Sequence, residues 1–256
     1  YGYGYKFGWA KGRARAWTPA ELFANGENGA LYIVHPDHCF TDAAMTTPAS
    51  VGDPVGALLD LSGNGYHLTQ ATSTSRPTLK QDGDGNYYLE TDGVDDVLST
   101  TAPTGFSLPV ELFWAGSSNA AAGAGVFGLG VQYPTTARRL GTLGNNAGYF
   151  VSIPVNTPQL RYSLLVAVSG APSAKAVYGL RASENVLYGY MNNDVKVSSV
   201  IPDEYVPGDA GTTGNLRVSG TTYATKFYGG ALIFTDLGTD ERNALHDFLY
   251  NVAGIS

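Results

Sequence analysis

Five consecutive residues, His35-Pro36-Asp37-His38-Cys39, place two imidazoles, a carboxylate and the only thiol of the chain in one short run. These are metal-ligand types. A closed zinc site needs four of them, and ligands close in sequence come as a rule with a second cluster elsewhere. Only His67 and His246 remain to build one, so the run reads as an ordinary turn. A single cysteine also excludes an internal disulfide and a CxxC redox pair.

Calcium is the next chemistry to consider. Asp82-Gly83-Asp84-Gly85-Asn86 imitates the start of an EF-hand loop. The sixth position of that loop should be Gly and is Tyr87, and the twelfth should be a bidentate Glu and is Gly93. Between PTLK and YYLE it predicts a hairpin turn of residues that tolerate positive φ. Asp92, Asp95 and Asp96, in TDGVDDVL, are the remaining calcium candidates. The favoured reading is a tight Asp-Gly turn whose carboxylates bond nearby amides. No cofactor is expected, calcium at these three aspartates being the one alternative.

Catalytic signatures are missing. A glycosidase needs two carboxylates flanking the scissile bond, and on a strand these stand at alternating positions. The glutamates are Glu21, Glu27, Glu90, Glu111, Glu184, Glu204 and Glu241, and none belongs to an E-x-D-x-E or E-x-D-x-x-E run. There is no G-x-S-x-G elbow and no G-x-x-x-x-G-K-[ST] phosphate loop. The chain is therefore read as non-catalytic.

The first seventeen residues are unlike the rest. Tyr1, Tyr3, Tyr5, Phe7 and Trp9 alternate with Gly or Lys, the period of a strand. Lys6, Lys11, Arg13 and Arg15 meet no acidic residue before Trp17. On a chain of net charge −7, these four cations leave −11 on the remainder. One reading is a first strand laid on the body's own sheet. The other is an arm, residues 1–17, that docks on a partner: Tyr1, Tyr3, Tyr5, Phe7, Trp9 and Trp17 would bury the area while Lys6, Lys11, Arg13 and Arg15 seek acidic neighbours. Stacking on single-stranded nucleic acid fits poorly with an acidic body, and general nucleic-acid binding is not expected.

The elements behind these residues are short. Only 14% of the chain is charged, while Gly numbers 33 and Tyr 17, a balance that suits strands. Apolar runs at Tyr87–Leu89, Val110–Trp114, Val126–Val131, Leu164–Val168, Val186–Tyr190, Leu216–Val218 and Lys226–Phe234 alternate with turn formers such as Ser62-Gly63-Asn64-Gly65, Gly144-Asn145-Asn146, Asn192-Asn193-Asp194 and Pro207-Gly208-Asp209. That spacing predicts a β-sandwich or barrel. Two helices flank it. The first is short, with Thr18 as N-cap, Pro19, Glu21 closing a capping box and Gly26 as stop. The second is C-terminal, capped by Thr239 and stopped near Gly254, with Ala244, Leu245, Phe248, Leu249 and Val252 on one face. No apolar run reaches the roughly 18–20 residues that span a bilayer.

Two segments resemble a known family: Asp53–Thr100, with its D-x-SGNG-x-H (Asp60–His67), Arg76-Pro77 and TDGVDD, and the ending Lys226–Ser256. They are similar to the laminin-G-like members of the concanavalin A-like lectin/glucanase superfamily, and closest to the versions in virion proteins of tailed phages and prophages. Thr91 stands where that family commonly has Phe. Val186–Val197 resembles its strand–turn–strand, and Trp17–Tyr32 its leading helix. The resemblance implies an all-β, two-sheet antiparallel jelly-roll sandwich over residues 18–256. It also implies a non-catalytic virion structural protein, a capsid decoration or tail-associated subunit on the capsid or tail surface. Its partners would be other virion proteins. Phage decorations and fibres commonly assemble as trimers, so a homo-oligomer, by preference a trimer, is expected. The alternative is a glycan-binding host-receptor module that takes a cell-surface glycan on rim-loop aromatics, with Tyr133, Tyr149 and Tyr223 as candidates. A polysaccharide hydrolase or lyase is disfavoured.

Overall fold

The computed structural model describes residues 17–102, 109–118, 124–132, 137–145, 148–154, 161–166, 175–183, 186–192, 194–200, 213–220 and 224–255. The arm before Trp17, with Tyr1, Tyr3, Tyr5, Lys6, Phe7, Trp9, Lys11, Arg13 and Arg15, lies outside these residues, as do Tyr133 and Tyr223.

Turn-punctuated apolar runs give strands in sequence: β1 (Gly29–Ile33), β2 (Cys39–Phe40), β3 (Ala57–Leu58), β4 (Leu68–Thr69), β5 (Thr78–Gln81), β6 (Tyr87–Glu90), β7 (Val97–Ala102), β8 (Val110–Ser118), β9 (Ala124–Gln132), β10 (Ala137–Asn145), β11 (Gly148–Pro154), β12 (Arg161–Val166), β13 (Ala176–Ala182), β14 (Val186–Met191), β15 (Asp194–Val200), β16 (Thr213–Ser219) and β17 (Thr225–Ile233). Helix α1 (Thr239–Ala253) follows. Among the described residues the strands form two antiparallel sheets. One runs β15-β14-β13-β8-β17-β6-β5, with β1 on β17; the other runs β12-β11-β10-β9-β16-β7-β4-β3-β2. The expected all-β jelly-roll sandwich is the fold found.

Strand alternation assigns each side chain to a layer. Leu112 and Trp114 on β8, Tyr178 and Leu180 on β13 and Leu232 on β17 face inward, where they meet Leu98, Phe127, Leu216 and Val218 of the second sheet. Their neighbours Phe113, Ala115, Val177 and Ile233 point the other way and are covered by Leu245, Phe248 and Leu249 of α1. At roughly 2 kcal/mol per fully buried apolar side chain, this face is enough to hold the helix on the sheet. The first sheet is thus packed on both sides over its centre. Close packing there needs Gly179, because a Cβ at that position would stand 2.2 Å from the Phe113 ring.

The family-like motif does structural work. Asp60, buried, accepts from the backbone N–H groups of Leu31, Ser62 and Tyr66 and from the Ser62 hydroxyl. His67 Nδ1 accepts from Asp60 N–H, and Asn64 donates to the carbonyls of Glu27 and Gly29. The Tyr32 hydroxyl donates to the Tyr66 carbonyl. Arg76 donates to the carbonyls of Thr41, Gln70 and Ala71. Four donors on one carboxylate and three carbonyls on one guanidinium fix the loops that cross the sandwich.

Both ends differ in detail from the sequence expectation. The leading helix is a single 3-10 turn, Pro19–Phe23, in which the Glu21 carboxylate accepts from Thr18 N–H at 2.9 Å. The C-terminal helix is capped at Gly238 and not at Thr239. Glu241 accepts from Gly238 N–H at 2.8 Å, so Thr239 is already the first helical residue. Gly254 ends the helix in the left-handed region as expected, at φ 60°. Of the predicted apolar face, Ala244, Leu245, Phe248 and Leu249 are buried and Val252 is partly buried, and Arg242 and His246 are buried beside them.

Candidate functional site

Asp82–Asn86 forms the predicted hairpin turn between β5 and β6. Asp82 also accepts from Lys175 Nζ at 2.9 Å and from the Tyr228 hydroxyl, while Lys175 donates to the Ala253 carbonyl at the end of α1. This is a clamp on the helix C-terminus, where a cation opposes the helix dipole.

Asp92, Asp95 and Asp96 do come together, with carboxylate oxygens within 4.8 Å of one another. Two are exposed and Asp96 is buried. Asp92 accepts from Val94 N–H, Asp96 accepts from Asp92 N–H at 2.8 Å, and Asp95 accepts from the Ser75 hydroxyl at 2.6 Å. Gly93 supplies φ +80°. Burial, and secondly the two neighbouring carboxylates, raise the Asp96 carboxyl, against the pull of the Asp92 amide. The geometry is that of the Asp-Gly turn.

In the His35–Cys39 run, His35 Nδ1 accepts from Asp37 N–H and His38 Nδ1 pairs with the Ile33 carbonyl. Burial lowers the His38 imidazole and pushes the Cys39 thiol up to about 12, so the thiol is neutral and unreactive. Four of the five described glutamates are occupied too: Glu21 and Glu241 cap helices, Glu27 accepts from Asn25, and Glu111 is buried in an ion pair.

Of the glycan candidates, Tyr149 lies on β11 in register with Gly144 and Val166, and the other two fall outside the described residues. The aromatic platform that the structure describes is elsewhere. One row of residues crosses the outer face of the first sheet through backbone register: Glu111 on β8, Arg181 on β13, Tyr188 on β14 and Ser198 on β15. Two residues along β14, Tyr190 stands on the same face, with ring centroids 6.3 Å apart and planes tilted 37°. The β14–β15 register shifts between Gly189 and Tyr190, with the extra residue on β15.

Charge surrounds this pair. The Arg181 guanidinium lies 5.2 Å from the Tyr188 ring centroid, and Arg242 of α1 lies 6.0 Å from that of Tyr190. Arg181 Nη2 donates to Asp236 at 2.6 Å, and its Nε stands 3.7 Å from Glu111. Arg242 donates to Glu111 from Nε at 2.8 Å and from Nη2 at 2.7 Å. Burial raises the Glu111 carboxyl and Arg242 pulls it back; with Leu237 N–H as a third donor, we assign the ionised pair. The hydrogen bond to Glu111 raises Arg242, and that to Asp236 raises Arg181. Two arginines and two carboxylates therefore cancel. Asp236, with its side chain 48% exposed, keeps acceptor capacity toward solvent.

Tyr188, Tyr190, Arg181 and Asp236 are not singled out by sequence motifs. The signal available was the i, i+2 tyrosine pair in VLYGYM, with Gly between, on a strand already expected. On the second sheet the register row Ser99–Arg217–Gly128–Gly141 contains no aromatic residue.

No protein-family model and no curated protein matches the chain. Solved structures do. The binding domain of botulinum neurotoxin serotype D is 8% identical, with a TM-score of 0.62 over 89% of this chain and 52% of its own. The binding domain of Paraclostridial Mosquitocidal Protein 1 is 11% identical, with a TM-score of 0.60 over 88% and 53%. The serotype D ligand-binding domain in complex with N-acetylneuraminic acid is 11% identical, with a TM-score of 0.54 over 75% and 48%. At such identities the likeness is one of fold. The chain spans about half the length of the structures it matches.

Proposed function

We propose that the protein is a non-catalytic glycan-binding module displayed on a tailed-phage virion. The observation that carries glycan binding is the Tyr188/Tyr190 platform beside Arg181 and Asp236, on a sandwich of the kind used by glycan-binding domains. Aromatic faces present negative charge to the polarised C–H groups of a sugar ring, and planar charged side chains at the edge meet its hydroxyls. N-Acetylneuraminic acid in a structural neighbour lends support to the ligand class. The virion setting rests on the sequence resemblance of Asp53–Thr100 and Lys226–Ser256. The arm, residues 1–17, would attach residues 18–256 to the particle, as part of a homo-oligomer and by preference a trimer. Its four cations would then face acidic neighbours, and the −11 body would keep the outer surface soluble.

A glycan array probed with the full chain tests the binding half, together with incubation on host capsule or lipopolysaccharide. Retention on specific glycans without new reducing ends is expected. New reducing ends would show a hydrolase or lyase; no retention on any surface glycan would leave a purely structural subunit. For the virion half, particle density at the capsid or tail surface is expected, and absence of the chain from purified particles would overturn it.

A further inference from the structure

We propose that the outer face of α1 is the docking surface for the basic half of the arm. Lys11, Arg13 and Arg15 lie along the acidic stripe Asp240/Asp247 of their own chain, and Tyr1–Trp9 are left for the particle. The inference goes beyond the attachment reading, and the docking it describes does not depend on it.

The arm is rooted on the helix. Trp17 is partly buried in the layer between the first sheet and α1, edge-on to Phe248 at 6.3 Å, and Thr18 behind it is fixed by the Glu21 carboxylate. Lys11, Arg13 and Arg15 alternate with Gly12, Ala14 and Ala16. An extended segment ending at Trp17 therefore turns all three cations to the side of the indole, which faces α1.

Charge on that face is complementary. Asp240, Glu241 and Asp247 are exposed on α1, the Asp247 side chain to 71%. Asp240 and Asp247 stand a heptad apart, on one stripe of the helix that Asn251 continues. The bases of the helix are Arg242, buried against Glu111, and His246, buried with Nδ1 3.7 Å from Asp247. Helix α1 thus shows solvent acids and no exposed cation, while the arm carries four cations and no acid.

Reach fits as well. At about 3.4 Å per residue, Arg15 can stand about 7 Å from Trp17 and Lys11 about 20 Å. From Phe248 back to Asp240 the helix rises about 12 Å, so both acids lie within the span of the basic segment. So short a tether sets an effective concentration in the millimolar range or above, and acids of the same chain are met before those of a second copy. Each exposed pair contributes only a few-fold, which is why docking here holds the arm without deciding whether the sandwich folds.

The test is limited trypsin digestion of the full chain at about 50 and 500 mM salt, with cut sites read by mass spectrometry. At low salt the bond after Lys6 should be cut first, and those after Lys11, Arg13 and Arg15 about tenfold more slowly. At high salt the difference should shrink. Asp240→Asn together with Asp247→Asn should abolish it, while melting within a few degrees of the parent. Equal cutting at all four sites in the parent, or protection that survives the double substitution, would overturn the docking surface. Protection that fades as the protein is diluted would place the arm on a second copy and overturn the own-chain assignment. Cutting is read on the free protein, so loss of attachment to particles leaves the result untouched.

Discussion

Glu111 on β8 and Arg242 on α1 meet in a two-pronged contact, Nε to Oε2 at 2.8 Å and Nη2 to Oε1 at 2.7 Å, with the Glu111 side chain fully buried. The pair fastens the helix to the sheet and, through Arg181 and Asp236, sets the charge beside Tyr188 and Tyr190. Removing one partner leaves the other charge buried alone. Arg242→Met should cost about 3–5 kcal/mol in urea unfolding, and Glu111→Leu with Arg242→Met should recover much of that loss. A single-variant cost below about 1 kcal/mol would show that the pair behaves as a surface contact.

Asp82 gives the stability its acid limb. Burial works to raise its carboxyl, but hydrogen bonds from Lys175 and Asn86, with the Lys175 charge, outweigh it and hold the group well below the usual carboxylate range. A depressed folded-state value means stability present above about pH 4 and lost as pH falls toward the folded value. The melting temperature should therefore drop from pH 4 to pH 2. Asp82→Asn should melt lower at pH 7 and lose less on acidification, so that the two curves converge. Parallel curves would contradict the assignment.

The aspartate turn should not need a metal, because Asp92, Asp95 and Asp96 already accept from amides or from Ser75. Bound calcium at a hundred times its Kd would add roughly 2.7 kcal/mol, a shift of several degrees. Calorimetry with EDTA or with millimolar calcium should instead agree to within about a degree. A calcium-dependent rise of many degrees would turn the three carboxylates into a metal centre.

Residues 18–256 should fold without the arm. Trp17 packs edge-on to Phe248 at 6.3 Å and the apolar layers lie downstream of it. Deletion of residues 1–16 should leave a cooperative melt within a few degrees of the full chain. Loss of cooperative melting would make the arm a strand of the sandwich. In the full chain, Tyr3, Tyr5 and Trp9 changed together to Ala should reduce retention on particles through a gradient; normal retention would contradict docking by the arm.

The fold was legible because its signals are local. Alternation in Val110–Trp114 and Lys226–Phe234, turn residues such as Asn192 at φ 51°, and the Leu245/Phe248/Leu249 stripe each need only a few neighbours to read. Strands such as β10, ARRLGTLGN, carry no such alternation and are formed by pairing with β9 and β11. The platform was not legible for a related reason. Glu111, Arg181, Tyr188 and Ser198 form a row only through the register of four strands, and Arg242 and Asp236 reach it from beyond β17. Side chains that look like loop candidates in one dimension, Tyr149 among them, gain meaning only once their strand partners are known. Asp92–Asp96 shows the converse: the sequence placed three carboxylates together, and turn amides satisfy Asp92 and Asp96 while the Ser75 hydroxyl satisfies Asp95.

A crystal structure of the protein with the array-selected oligosaccharide tests the central claim most directly. The account predicts a sugar ring lying on the Tyr188/Tyr190 platform beside Arg181. A sugar seated instead on the outer face of the second sheet, with the Tyr188 face left bare, would contradict it.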